Sequence, residues 1–144
     1  MPPVHRQTQH AETYATPYPQ AEQLYRRMVF NVMGRNCDDH TKNFAFVMDK
    51  KGKWRLSPAY DVCHAYRPGS EWVSRHALSI NGKRKNITKN DLLKVAKEMN
   101  VKKAENIIKQ IASVISNWKK YADQVSVDER LKEAIEKTLI VMHE

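Results

Sequence analysis

The apolar residues Leu24, Met28 and Val32 recur at every fourth position, with Tyr25, Val29 and Met33 beside them, and the pattern stops at Gly34. A stripe of that period is one face of a helix laid against a core. Pro19, just ahead of it, suits the first turn of such a helix. Past Gly34 the character of the chain changes. Asn36-Cys37-Asp38-Asp39-His40-Thr41-Lys42-Asn43 sets two carboxylates, an imidazole, an ammonium and two amides in eight residues, and Phe44-Ala45-Phe46-Val47-Met48 then reads as a buried strand. A polar block between a helix and a strand is a loop held by rigid elements, which is where folds present chemistry.

Asp49-Lys50-Lys51-Gly52 is a turn, and Lys53-Trp54-Arg55-Leu56 returns as a short strand, so the pair forms a hairpin. Pro58 ends it, because proline cannot donate to a ladder. Ala59-Tyr60-Asp61-Val62 then supplies a further acid at the end of the hairpin. After a loop at Pro68-Gly69, His76-Ala77-Leu78-Ser79-Ile80 alternates with period two up to the turn signal Asn81-Gly82. The remainder is helical. Thr88-Lys89-Asn90-Asp91 is a variant capping box ahead of Leu92, Val95, Ala96 and Met99. A long stripe runs through Ile107, Ile111, Val114, Ile115, Trp118 and Tyr121, of which Trp118 and the isoleucines read as core. Ser126-Val127-Asp128-Glu129 is a second capping box, leading Leu131, Ala134, Ile135, Thr138 and Met142. Residues 1–20, with Pro2, Pro3, Pro17 and Pro19, read as an irregular lead-in to one domain over 21–144. The fold class is mainly α with a small β-hairpin.

A chain of 144 residues is large enough to bury one core, and 41% hydrophobic residues with well-mixed charge make it globular. No apolar run approaches the roughly 18 residues that span a bilayer, and the first residues lack a signal-peptide core. Cys37 and Cys63 suggest no disulfide framework, so free thiols in a cytoplasmic setting, with no membrane partner, are expected. The balance of 25 Lys+Arg against 16 Asp+Glu, a net +9, suits a phosphate-rich or acidic partner, or serves solubility alone. Gly34, Gly52, Gly69 and Gly82 stand singly, so neither a P-loop nor a dinucleotide-binding loop can be written from them.

Phosphoryl transfer needs a group that orients the nucleophile and oxygen ligands that hold Mg²⁺ against the phosphates. A loop written D-x-x-x-x-N, followed by a hairpin and another Asp, supplies all three. Asp38 and Asn43 match that spacing, Asp61 follows the hairpin, and Lys42 can neutralise charge on a transferring phosphate. Other readings compete. Asp38 and Asp39 could cap nearby backbone, and His40 could orient the loop or satisfy the core. Cys37, His40, Cys63 and His64 have the atom types for zinc, but adjacent Cys63-His64 is poor ligand spacing. Lys83-Arg84-Lys85 is either a solvated loop or the best local candidate for contact with a phosphate backbone.

The run from Phe30 to Phe44, with D-x-H-x-K-N at Asp38 to Asn43, resembles the C-terminal domain of HipA-type toxin serine/threonine kinases. The resemblance continues through Trp54-Arg55-Leu56-Ser57-Pro58-Ala59-Tyr60-Asp61 and His76 to Gly82, over roughly residues 20 to 144. It implies the C-terminal lobe of a kinase fold that uses ATP and Mg²⁺ and belongs to a bacterial toxin–antitoxin pair linked to persistence. Asp38 becomes the catalytic aspartate, Asn43 and Asp61 the metal ligands on the nucleotide, and His40 and Lys42 supporting members of the loop. Asp39 stands where some members have glycine and receives no separate role. The implied partners are a HipB-like antitoxin, operator DNA within that complex, and a protein substrate such as an aminoacyl-tRNA synthetase. Family members carry the loop that covers ATP in an N-terminal lobe, so such a lobe is expected in trans and the chain alone is expected to be inactive. The competing expectation is a non-catalytic basic helical module that docks an antitoxin or DNA.

Overall fold

The stripe at Leu24 is the buried face of α1 (Tyr18–Met33) in the structure, a computed structural model that describes residues 18–142. Leu24, Tyr25, Met28, Val29, Val32 and Met33 are all buried, as their spacing requires. A short hairpin comes next, β1 (Phe46–Met48) and β2 (Trp54–Leu56), then α2 (Lys89–Glu98), α3 (Ala104–Ser116), α4 (Trp118–Gln124) and α5 (Glu129–Glu136). The described part is therefore mainly helical with one two-stranded antiparallel sheet, in which Phe46 pairs with Leu56 and Met48 with Trp54. Most of the lead-in read over residues 1–20 lies outside the described residues, and Tyr18 already begins α1.

The core is a helical sandwich. α1 packs chiefly on α3, and Ile107, Ile108, Ile111 and Ile115 of α3 meet Leu92, Val95 and Ala96 of α2 in one apolar cluster. The Tyr25 hydroxyl crosses from α1 and donates to the Leu92 carbonyl at 3.1 Å. Burial pushes the Tyr25 phenol well above its ordinary value, so it remains a donor at neutral pH. α2 begins as its sequence indicates: the Thr88 side chain accepts from the Asp91 backbone, and the Asp91 side chain accepts from the Thr88 backbone.

Four local expectations change. The strand after the polar block is shorter than Phe44–Met48 and is not buried: Phe46, Val47 and Met48 are exposed, as is Trp54 opposite, and of the two strands only Leu56 is partly buried against the core. His76 to Ile80 is no strand, despite its alternation. It is an irregular segment whose His76, Ala77, Leu78 and Ile80 are buried and whose amides bond Arg84, Cys37 and Lys83 carbonyls. The long stripe breaks at Asn117, whose side chain donates to the Ser113 carbonyl at 2.7 Å, leaving Val114 and Tyr121 exposed. The last helix is capped by Asp128 and not Ser126, since Asp128 accepts from the Arg130 and Leu131 amides. That helix ends at Glu136 with Leu131 exposed. The chain beyond returns to α1, where the Ile140 amide donates to the Met33 carbonyl at 2.9 Å. No helix among the described residues is long and apolar enough to cross a membrane.

Candidate active site

The polar block begins where α1 is unwound by a Schellman cap. The Asn36 amide donates to the Asn31 carbonyl at 2.9 Å and the Arg35 amide to the Val32 carbonyl, with Arg35 at φ 58. Gly34 is next to that turn because a Cβ there would come within 3.0 Å of the Phe30 carbonyl oxygen. The left-handed residue is thus Arg35, held by stacking of its guanidinium 3.5 Å from the Tyr66 ring centroid. The cap turns Asn36 inward. Its Nδ2 donates to Asn31 Oδ1 at 3.1 Å and to the Asp61 carbonyl at 3.4 Å, while its buried Oδ1 has no partner.

Residues 38–43 then close on themselves. The Asp38 carbonyl accepts from the His40 amide at 2.8 Å and from Asn43 Nδ2 at 3.1 Å, and Thr41–Asn43 form a single 3-10 turn. With one N–H of its amide on the backbone, Asn43 has its Oδ1 as the atom it can offer to a cation. A second strap joins this loop to the next segment: the Tyr60 hydroxyl donates to the Lys42 carbonyl at 2.6 Å. Between them lies a small cleft lined by Arg27, Asn31, Asn36, Asp39, Asn43, Phe44, Tyr60 and Asp61 among others. Asp61 sits there in a left-handed conformation, φ 52.

The structure thus brings Asn43 and Asp61 to one cleft, although the hairpin separates them in sequence. Asp38 carries its carboxylate outside the lining residues and about half exposed, 3.9 Å from His40 Nε2. His40 has its Nδ1 buried without a partner, and the Lys42 side chain is exposed. Among the described residues no three His, Cys, Asp or Glu side chains converge on a metal position, which removes support from the zinc reading of Cys37, His40, Cys63 and His64. His64 instead shares a 2.8 Å hydrogen bond with Thr138 Oγ1.

Asp39, to which the family resemblance assigns no separate role, is the most engaged residue of the loop. Its carboxylate is buried. Oδ2 meets His76 Nδ1 at 3.0 Å, and Oδ1 accepts from the Ala77 amide at 2.8 Å and the Leu78 amide at 3.4 Å. Burial alone would lower the His76 pKa, but the Asp39 carboxylate and the nearby Cys37 sulfur outweigh it and push the imidazole up to about 9. His76 Nε2 has no hydrogen bond of ordinary geometry and is shut from water. Asp39 therefore ties the loop's underside to the 76–80 segment, while its neighbour Asp38 faces outward. No spacing rule pairs residues 37 apart in sequence, and only the burial of His76 reveals the link.

The basic run is also internally engaged. Lys83 Nζ pairs with Asp91 at 2.9 Å and Arg84 Nε donates to the His76 carbonyl at 2.6 Å, leaving Lys85 exposed. No curated protein matches the chain. The model of the HipA-like C-terminal domain family matches residues 4–137, most of the sequence, and the chain belongs to that family.

Proposed function

We propose that the chain is the catalytic lobe of a HipA-type serine/threonine kinase toxin, transferring the γ-phosphate of ATP to a protein hydroxyl. The HipA family is a kinase family. The observation that carries the reading is the single cleft lined by both Asn43 and Asp61, with the D-x-x-x-x-N loop closed by the Asn43-to-Asp38 hydrogen bond. The residues suit Mg²⁺. Asn43 and Asp61 offer oxygens, and the orphaned Asn36 Oδ1 is an acceptor for a metal-bound water. Mg²⁺ keeps several waters and needs only one or two carboxylates beside substrate phosphates. Bound there, it would neutralise charge on the phosphates.

Asn43 and Asp61 would hold the metal, Asp38 would orient the attacking hydroxyl and accept its proton, and Lys42 would offset charge on the transferring group. His40 stands beside Asp38 as its orienting neighbour. The outward, half-exposed Asp38 carboxylate suits a protein hydroxyl arriving from solvent. An aminoacyl-tRNA synthetase as substrate and a HipB-like antitoxin as partner belong to this reading through the family alone. Contact of Lys83-Arg84-Lys85 with DNA draws less support, since two of the three side chains are already engaged.

Titration with Mg²⁺ and ATP, monitored by NMR, is expected to shift resonances around Asp61 and Asn43, and Asp61→Ala is expected to abolish the Mg²⁺-dependent part. Resonances that stay unmoved, even with an N-terminal lobe added in trans, would overturn the kinase reading.

A further inference from the structure

Arg27 lies on α1, outside the polar block and the Asp61 segment, yet it lines the cleft with Asn43 and Asp61. Its Nη2 donates to the Ser57 carbonyl, and its Nη1 is buried without any hydrogen-bond partner. Asp39 and Asp61 line the same cleft, but among the described residues neither forms an ion pair with it. Burial lowers the Arg27 pKa while the nearby Tyr60 hydroxyl raises it, though a guanidinium stays charged at any neutral pH. Arg27 as a whole is only partly buried, but a buried N–H of a cation with no partner and no counter-ion in ion-pair range is unfavourable unless a ligand supplies the acceptor. The opposite defect lies on the same cleft wall, where Asn36 Oδ1 is an acceptor with nothing to accept from. An unpaired donor and an unpaired acceptor around two oxygen ligands match a hydrated cation carrying a polyphosphate.

We propose that Arg27 is a phosphate-binding residue of this site, taking a non-bridging oxygen of the nucleotide's polyphosphate chain. The proposal rests on the reading of the cleft as a nucleotide site. Arg27 holds the Ser57 carbonyl with one arm of its fork, which fixes the segment leading to Tyr60 and Asp61. Its other arm, the unpartnered Nη1, belongs to a side chain that already lines the cleft. A guanidinium suits this task because its planar fork holds donors to a carbonyl and a phosphate oxygen in fixed directions, whereas an ammonium is a compact point charge.

Calorimetric titration of the 144-residue chain with tripolyphosphate plus Mg²⁺ tests it. Arg27→Gln is expected to weaken binding by at least about tenfold, and Arg27→Lys to recover only part of the loss. Asp61→Asn is expected to remove the Mg²⁺ dependence while leaving metal-free binding of tripolyphosphate. If Asp61→Asn behaves so but Arg27→Gln binds like the parent, the Arg27 assignment fails and the nucleotide reading stands. If the parent chain binds no tripolyphosphate with Mg²⁺, the Arg27 assignment fails, and the nucleotide reading is left to the titration with an N-terminal lobe in trans. Should Arg27→Gln not fold, the Arg27 Nε resonance of the parent protein decides. A shift on adding tripolyphosphate supports the contact, and an unmoved signal overturns it.

Discussion

At the scale of single residues, the Asp39–His76 pair is where burial and charge contend most directly. The imidazole, ordinarily near 6.5, is pushed to about 9 in the folded chain. An unfolded chain loses that proton near 6.5, so folding favours the charged ring between the two values. The pair therefore contributes fully below about pH 6.5, and the contribution is lost as the pH rises through about 9. The facing groups are the Asp39 carboxylate and the Cys37 thiol. The urea midpoint of the parent chain should fall between pH 6 and pH 9.5, and a flat profile would sink the assignment. Asp39→Asn should flatten that fall and destabilise the chain at pH 6 by about 3–5 kcal/mol, as when one partner leaves a buried pair. Asp38→Asn, on a half-exposed side chain, should leave the unfolding free energy within about 0.5 kcal/mol of the parent. Two adjacent aspartates are indistinguishable in sequence. One faces solvent and one faces the core, and only the folded loop separates them.

Among the elements, legibility tracked the reach of each signal. The period of α1, the Thr88 capping box and the Asn81-Gly82 turn are local, and each appears in the structure where its residues place it. Local patterns mislead where tertiary contacts override them. His76 to Ile80 alternates like a strand, but its amides bond Arg84, Cys37 and Lys83 carbonyls instead of a neighbouring strand. The capped start of α2 shows the local case in energetic detail. Asp91 accepts from Asn81 Nδ2 at 2.7 Å, Lys83 Nζ at 2.9 Å and the Thr88 amide and hydroxyl at 2.9 and 2.8 Å. Burial disfavours its charge, yet Lys83 and the Thr88 and Asn81 donors hold the carboxyl well below its ordinary 3.8. That stability is present above about pH 4 and is lost as the pH falls toward the lowered value. Asp91→Ala should cost about 2–3 kcal/mol, the sum of a lost cap and stranded donors. Lys83→Ala should cost within about 1 kcal/mol, since its side chain is half exposed. Equal losses in parallel urea melts would show that the ion pair, and not the cap, dominates this junction.

For the molecule as a whole, the proportions of the cleft decide what it can recognise. Its enclosed volume is about 10 Å³, room for a single water, whereas sites that bury a drug-sized ligand run to hundreds of cubic ångströms. Phosphates and a hydrated cation can be gripped from one side by charge and a few oxygens, but a base needs walls. Phe44 and Tyr60 are the aromatic residues of the lining, and the exposed Phe46, Met48 and Trp54 of the hairpin are not among the lining residues. Nucleotide affinity in this chain should thus come from the polyphosphate. ATP, GTP and tripolyphosphate, each with Mg²⁺, should bind within about threefold of one another, and AMP far more weakly. With a net charge of +9, all three should weaken as salt is raised from about 0.05 to 0.5 M, because the cleft is open to screening. Calorimetry on the same preparation compares the four ligands directly. ATP binding a hundredfold more tightly than tripolyphosphate would mean that this chain already recognises adenine, and that cleft volume does not limit recognition. Near-equal binding would place base selection in a wall beyond this chain, consistent with catalysis that requires another lobe against this one.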